Sequence, residues 1–209
     1  MAWGTELGAV PVRPAAGAVL RLLATAASAT HVVEVGTGTG ASGLWLLAGM
    51  RPDGTLTTID VEPEVQRLAR QAYAAAGYAP ARTRIITGNA RDVLPRLADG
   101  GYDLVFLDGA AEDHPAGAHA AARILRPGGV LVVNRAIPGD NPAGDEVDAV
   151  IVRELVHGLR DDPRWLAVLL EAGDGLLCAT RTGPDSVAGQ PPQQGTHAPP
   201  GSALDQLPL

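Results

Sequence analysis

Two blocks of four consecutive apolar residues constrain the fold of this chain more than any other feature. They read Leu-Val-Phe-Leu at 104–107 and Val-Leu-Val-Val at 130–133. A strand with one face in water alternates apolar and polar side chains, whereas a strand that is covered on both faces does not. The blocks therefore predict a parallel sheet with helices packed on both sides, which is the layer arrangement of an α/β protein.

Helical stretches separate the short apolar segments. The predicted strands are 31–35, 55–60, 84–87, 102–108, 130–134, 165–170 and 176–180. Pro63 fits the first turn of a helix and Gly77 fits its end; later helices are predicted at 116–125 and 147–159, with a tight turn at 126–129. Repeated strand–helix–strand units predict a doubly wound, seven-stranded and mostly parallel sheet. Because only residues 171–175 separate the last two segments, one strand near the C-terminus is predicted to be antiparallel.

The C-terminal residues have the composition of a disordered segment. Proline, glycine and glutamine dominate residues 182–209, which cannot bury enough apolar surface to offset the entropy of ordering. We therefore predict a folded domain over 1–181 and a disordered tail over 182–209. No apolar run reaches the roughly 18 residues of a membrane span, and Arg21 argues against a signal peptide at 15–29, so we expect a cytoplasmic protein without a membrane partner.

Charge and composition exclude several classes of function. All 16 basic residues are arginine, so no lysine can form a Schiff base, bind phosphate in a P-loop or act as a general base. The 23 acidic residues give a net charge of −7, which argues against a nucleic-acid partner because phosphate binding needs clustered cations. Cys178 is the single cysteine, which excludes a disulfide framework and a site of several cysteine ligands.

A glycine-rich loop follows the first predicted strand. Gly36, Gly38 and Gly40 stand at alternate positions before a helix that begins near Ala41. Glycine permits a tight turn and lets a ligand approach more closely than a Cβ would allow. The spacing also satisfies the dinucleotide pattern G-x-G-x-x-G/A, so the glycines leave nicotinamide and S-adenosyl cofactors open, together with a purely structural turn.

Two acidic residues at strand ends narrow the choice of ligand. Glu34 lies at the end of an apolar strand, where a buried carboxylate needs a cation or hydrogen-bond donors. A ligand with an ammonium group, such as S-adenosylmethionine, meets that need; an arginine partner or an exposed strand end is the alternative. Asp60 ends the second strand, and in this topology an acid there accepts the hydroxyl protons of a ribose. Asp60 therefore predicts an adenosine ligand without choosing between the two cofactors.

These residues resemble a known family. The segment 34–42 is similar to the first motif of class I S-adenosylmethionine-dependent methyltransferases, and in detail to the catechol and caffeoyl-CoA type of O-methyltransferase. Residues 7–17, 88–95, 106–108 and 125–129 are like the cofactor-covering segment, the adenine loop, the fourth-strand acid and the next turn of that family. The resemblance covers about residues 7–181. It implies a Rossmann-like methyltransferase fold, S-adenosyl-L-methionine as the cofactor, and methyl transfer to a hydroxyl of a small molecule.

The matched positions imply roles in cofactor binding. Glu34 would hold the methionine end, Asp60 the ribose, and Asp108 would lie near the amine and the transferred methyl. The other cofactor-binding residues implied by the motifs are Val12, Gly36, Thr37, Gly38, Ser42 and Ala90. The resemblance to the family also implies a homodimer.

The chain departs from the family at the metal site. Members usually bind a divalent cation through the fourth-strand Asp and an Asp-Asn pair that ends the fifth strand, and a lysine near the first Asp serves as base. Asp108 is present, but Asn134 and Arg135 replace the pair and Ala111 stands at the place of the lysine. A hard cation prefers several oxygen ligands, and an arginine repels it. We therefore predict no metal site and an ion pair between Arg135 and Asp108.

Without the lysine and the metal, the identity of the catalytic base has to be inferred from other residues. A phenol has a pKa of about 10, so it needs a base or a cation to become a nucleophile at neutral pH. The predicted catalytic residues are Asp108, His114 and Arg135, with Asp113 as a further candidate base. The alternatives are a solvent-exposed loop histidine at His114 and a purely structural ion pair at Arg135.

Three functions are compatible with the sequence. The leading one is a metal-independent O-methyltransferase that acts on a small hydroxylated substrate. The second is a catalytically inactive S-adenosylmethionine-binding module with a regulatory or interaction role, because the lysine and the metal pair are changed. The third is an NAD-dependent oxidoreductase, which would use the same glycines and Asp60 but would leave Glu34 unexplained.

Overall fold

A computed structural model of the chain describes residues 10–137 and 146–183. The strands are β1 His31–Val35, β2 Thr55–Asp60, β3 Thr83–Thr87, β4 Tyr102–Leu107, β5 Leu125–Asn134, β6 Trp165–Leu170 and β7 Leu176–Arg181. The helices are α1 Pro14–Ala26, α2 Ala41–Gly49, α3 Pro63–Ala75, α4 Ala90–Val93, α5 His114–Ile124 and α6 Glu146–Asp161. None of these helices has both the length and the apolar composition that crossing a membrane requires. The predicted disordered tail falls on 182–209, and its residues 184–209 lie outside the described part of the chain.

The seven strands form one sheet in the order β3-β2-β1-β4-β5-β7-β6. The first five strands are parallel, whereas β7 is antiparallel to both β5 and β6. The prediction of a doubly wound, mostly parallel sheet with one antiparallel strand near the C-terminus is therefore confirmed, and β7 is that strand. The chain winds in opposite directions from β1, so the carboxyl ends of β1 and β4 border the crevice in which sheets of this kind bind ligands.

Alternate residues of the central strands support two separate cores. Val33 and Val105 pack with α5 and α6 on one face of the sheet, whereas Val32 and Leu104 pack with α1 and α2 on the other. All four side chains are fully buried. Both faces of β1 and β4 are thus dry, which is why β4 contains a continuous apolar block in the sequence.

The fifth strand begins earlier than predicted. It starts at Leu125, so the predicted turn at 126–129 lies within β5. Leu125 pairs with Tyr102, and the register then shifts before the ladder resumes. Gly128 has a φ of 76° there, a conformation that a residue without a Cβ adopts easily and that fits an irregularity within a strand. The predicted turn between helix and strand is therefore wrong, because the pairing with β4 continues through these residues.

Candidate active site

A cavity of about 350 Å³ lies at the carboxyl ends of the parallel strands, and residues ahead of α1 form part of its wall. Eight of the nine residues predicted to bind a cofactor line this cavity: Val12, Gly36, Thr37, Gly38, Ser42, Asp60, Ala90 and Asp108. Glu34 does not line it. Of the three predicted catalytic residues, Asp108 and Arg135 line the cavity and His114 does not. The sheet edge therefore brings together most of the predicted site.

The glycine loop after β1 has a backbone that other residues rarely adopt. Gly36 and Gly38 have φ values of 95° and 47°. A Cβ on Gly36 would lie 2.8 Å from the carbonyl carbon of Asp108, so the loop after β1 packs directly against the loop after β4. Glycine at this position is required both by the dihedral angle and by the close approach of the two loops.

The carboxylate of Asp60 is held in one orientation at the end of β2. The Gly38 N–H donates to Oδ2 at 2.9 Å, and the Glu62 N–H donates to Oδ1 at 3.0 Å. Each carboxylate oxygen can accept a further hydrogen bond, so the group is preorganised to receive two hydroxyl protons. The role of Asp60 towards a ribose stays a prediction.

Glu34 is completely buried beneath the cavity wall. The Ser42 hydroxyl donates to one of its carboxylate oxygens at 2.5 Å and the Thr58 hydroxyl donates to the other at 2.7 Å. Burial raises the pKa of Glu34 to about 8, although both hydrogen bonds oppose the shift and the charges of Asp108 and Asp60 add to it. No arginine of the described segments pairs with Glu34, so the alternatives of an arginine partner and an exposed strand end are both wrong there.

A chain of buried hydrogen bonds extends from Glu34 to the third strand. Thr58 shares a hydrogen bond of 2.7 Å with Thr37, and the Gln66 amide donates to Thr37 at 3.4 Å. The Thr87 hydroxyl in turn donates to Gln66 at 2.6 Å. The sequence reasoning missed Thr58 and Gln66. A signal existed in the paired threonines of β2, because a buried hydroxyl needs a partner.

Asp108 and the residues that end β5 form a compact polar cluster. The Asn134 amide donates to Asp108 Oδ1 at 2.8 Å, and the Arg135 guanidinium lies 3.5 Å from the same oxygen, so the predicted ion pair is present. Burial raises the pKa of Asp108 to about 6, opposed by the charge of Arg135 and the hydrogen bond from Asn134. The Asn134 carbonyl oxygen is buried without a partner among the described residues, so an acceptor remains unused there.

Arg135 is anchored to the backbone as well as to a carboxylate. Its guanidinium donates to the carbonyl oxygens of Asp108 at 2.9 Å and Gly109 at 2.6 Å. Its φ of 56° is rare for a residue with a side chain, and this turn directs the guanidinium back across the end of β4. The arginine therefore presents a fixed positive charge at the cavity wall.

His114 is the first residue of α5 and is only 2% exposed, so the alternative of a solvent-exposed loop histidine is wrong. Neither ring nitrogen makes a hydrogen bond of normal geometry within the described chain. Burial, followed by the charge of Arg135, lowers the pKa of His114 to about 4, although the nearby Gly109 backbone opposes this shift. The imidazole is thus neutral at physiological pH and sits outside the cavity wall.

The turn between β6 and β7 contributes a wall residue that the sequence did not reveal. Asp174 lines the cavity, and its carboxylate pairs with Arg13 at 2.7 Å. This ion pair connects the turn to the residues that precede α1. The segment 171–175 was interpreted only as a hairpin turn, and nothing in its local pattern indicates that it reaches the ends of β4 and β5.

The fold and the site together define a class of protein. A doubly wound sheet in which β1 enters a glycine loop and β2 ends in a fixed carboxylate is a cofactor-binding α/β domain of the Rossmann-like class. The family described as O-methyltransferase matches residues 4–182. The chain belongs to this O-methyltransferase family, which confirms the family and the enzyme class predicted from the sequence.

Relatives of known sequence and structure agree with this assignment. A Mycobacteroides abscessus protein, provisionally named an O-methyltransferase, is 54% identical over 179 residues, which cover 84% of this chain and 83% of that protein. The structure of TomG from Streptomyces achromogenes, an O-methyltransferase of tomaymycin synthesis in complex with SAM, has a TM-score of 0.76 at 30% identity and covers 86% of this chain and 85% of its own. Cofactor-bound Rv0187 from MTB has a TM-score of 0.75 at 33% identity, with coverages of 85% and 86%.

Proposed function

We propose that this protein is an S-adenosylmethionine-dependent O-methyltransferase that methylates a hydroxyl of a small molecule without a divalent metal. Its membership of the O-methyltransferase family supports the reaction and the cofactor. The observation that carries the proposal is the cavity wall, where the glycine loop and the fixed Asp60 carboxylate meet Asp108 and Arg135. The homodimer and the cytoplasmic location expected from the sequence stay predictions.

The residues of the cavity fit S-adenosylmethionine. Asp60 offers two oriented oxygens for the ribose hydroxyls, and Ala90 leaves space beside the loop that follows β3. Val12 is 8% exposed and lines the cavity from the side of α1, as expected of a residue that covers the cofactor. When bound, the cofactor supplies an electrophilic methyl group on a sulfonium sulfur, so the protein has to align and deprotonate the acceptor hydroxyl.

The same cavity does not fit a divalent cation of the family's kind. An oxygen of Asp108 that could bind a metal instead accepts a hydrogen bond from Asn134 and faces the Arg135 guanidinium. Mg²⁺ requires a nearly complete shell of oxygen ligands, and a fixed guanidinium at the same carboxylate opposes it. In the described segments, no group of three histidine, cysteine, aspartate or glutamate side chains is placed to hold a metal ion.

Arg135 and Asp108 can together activate a hydroxyl. A fixed guanidinium at the cavity wall stabilises the oxyanion that forms as the hydroxyl proton leaves. Asp108, with a pKa of about 6, is ionised at neutral pH and can accept that proton. We propose these two residues as the catalytic pair, with Asn134 orienting the carboxylate.

Cofactor binding should depend on Asp60. In Asp60→Ala we expect the Kd for S-adenosylhomocysteine to rise about thirtyfold or more, because two hydroxyls lose a charged acceptor worth roughly 2 kcal/mol. Isothermal titration calorimetry measures this directly. Asp162→Ala is the matched control, since it removes a carboxylate from an Arg–Asp pair outside the cavity wall. Unchanged affinity in Asp60→Ala, or tight binding of NADH in place of the S-adenosyl ligand, would contradict the proposal.

His114 lies outside the cavity wall, so the role as base that the sequence analysis predicted for it can be tested separately from that of Asp108. In His114→Leu we expect kcat to change little. Removal of a general base would instead lower kcat by about 10²-fold or more. Stability should be retained, because the leucine replaces an unpartnered buried imidazole with an apolar group of similar size. Steady-state kinetics and thermal denaturation of the same preparation measure both effects. A large fall in kcat with an unchanged Tm would restore His114 as the base.

A further inference from the structure

Arginines near the cavity wall form ion pairs with its acidic residues. Three such arginines occur among the described residues, and each has a carboxylate partner within ion-pair distance. The pairs are Arg135–Asp108 at 3.5 Å, Arg13–Asp174 at 2.7 Å and Arg91–Asp113 at 2.6 Å. An anionic ligand would therefore have to share any of these arginines with a resident carboxylate.

The remaining charges of the cavity wall are negative. Asp60 and Glu62 line the cavity, and neither forms an ion pair with an arginine of the described segments. The chain has no lysine, and residues 1–9, 138–145 and 184–209 contain no arginine, so their sequence adds no such side chain wherever they lie. The charge balance of the described cavity wall is therefore negative.

Asp174 is one of three acids of this wall, with Glu62 and Asp113, that the proposed reaction does not use. Its turn packs between α1 and the residues after β5: a Cβ on Gly173 would lie 2.9 Å from Ala16 Cβ, and one on Gly175 would clash with Ile137. Both glycines have positive φ values. The Asp174 carboxylate is therefore carried on a tightly packed turn, and its charge contributes to the raised pKa of Asp108.

We propose that the acceptor substrate is a small hydroxylated molecule without net negative charge, preferably one that carries an ammonium group, and that Asp174 determines this specificity. The proposal rests on the proposed function. An ammonium group can share the Asp174 carboxylate with Arg13 in a wall of net negative charge, whereas a carboxylate or phosphate loses its hydration among acids and finds only arginines that already have a carboxylate partner. Like-charge juxtaposition is an effective way to reject a wrong ligand.

Binding to the full chain loaded with S-adenosylhomocysteine tests the proposal without requiring turnover. The probes are dopamine, its carboxylate counterpart dihydroxyphenylacetate, and neutral ethylcatechol, which share the same ring hydroxyls. We expect dopamine to bind about tenfold or more tightly than dihydroxyphenylacetate at low salt, with a smaller ratio at high salt because screening weakens charge selection. Asp174→Asn should reduce the ratio severalfold, since it removes an acid and frees Arg13.

The control variant is Asp162→Asn, which removes the same charge from the Arg164 pair at the opposite end of β6 and should leave the ratio unchanged. Equal or tighter binding of dihydroxyphenylacetate, or binding of none of the three probes to the loaded protein, overturns the substrate inference. An unchanged ratio in Asp174→Asn overturns the role of Asp174. Failure of S-adenosylhomocysteine itself to bind instead overturns the proposed function.

Discussion

Arg135→Ala is expected to lower kcat by about 10² to 10³-fold, the range found when an electrostatic stabiliser of a developing oxyanion is removed. The guanidinium faces Asp108 at the cavity wall and is fixed by two backbone carbonyl groups, so no other cation replaces it. The affinity for S-adenosylhomocysteine should change little, because Asp60 and the glycine loop remain intact. Steady-state kinetics and calorimetry on the same variant separate the two effects.

The pH profile of this variant gives a second readout. The acid limb of kcat/KM in the wild type should follow Asp108, with activity rising as pH passes about 6. Because the charge of Arg135 holds this pKa down, the limb should move to higher pH in Arg135→Ala. Arg164→Ala, which removes an exposed guanidinium paired with Asp162, should leave both the rate and the profile unchanged.

Chelation distinguishes this mechanism from metal catalysis. Full activity of the wild type after exhaustive treatment with EDTA is the expected result, since Arg135 supplies the positive charge. Restoration of activity only by Mg²⁺ after chelation would refute the metal-independent mechanism. So would an Arg135→Ala variant with normal kcat and an unshifted pH profile.

Glu34→Gln is expected to stabilise the ligand-free protein at alkaline pH by up to about 4 kcal/mol. Burial raises the pKa of Glu34 from 4.5 in the unfolded chain to about 8 in the folded protein. The folded state therefore binds this proton more tightly. The stability contribution of Glu34 is complete below pH 4.5 and is lost as pH rises towards 8. Glutamine stays neutral throughout, and Ser42 can turn its hydroxyl to accept from the new amide.

Denaturant unfolding at about pH 5 and about pH 8 measures this difference through the linkage between proton binding and stability. The wild type should lose stability between the two conditions relative to Glu34→Gln, so the advantage of the variant should grow with pH. Glu154→Gln on α6 is the control, because Glu154 is exposed and should show the pH dependence of the wild type. Parallel curves for the wild type and Glu34→Gln would show that Glu34 has the same pKa in the folded and unfolded states, which would contradict the prediction.

Local patterns predicted the individual elements because those patterns are imposed by burial. The strand at 31–35, the glycine loop and the helix that starts at Pro63 all depend on neighbouring residues in the chain, and each lies where it was expected. Errors arose where pairing with a distant strand decides the structure. β5 extends back to Leu125 only because Tyr102 lies beside it, and the sequence near residue 125 does not indicate this pairing.

The same distinction applies to the site. The cavity residues in the loops after β1 and β2 could be read from glycine spacing and from acids at strand ends. The surroundings of Glu34 and His114 could not, because burial and hydroxyl partners are set by elements far away in the sequence. A histidine in a polar stretch was interpreted as exposed or cavity-facing, but the first turn of α5 packs it into the interior.

By itself, the sequence determined the layer arrangement and the glycine loop with acids at the neighbouring strand ends, which follow from periodicity, backbone sterics and side-chain charge within single segments. The replacement of the metal pair by Asn134 and Arg135 was indicated by the resemblance to the family. Only the tertiary structure decided that burial raises the pKa of Glu34 while two hydroxyl groups hydrogen-bond it, that Arg135 is fixed by the carbonyls after β4, and that Asp174 completes the cavity wall. Those outcomes depend on distances between segments that meet only when the sheet has formed.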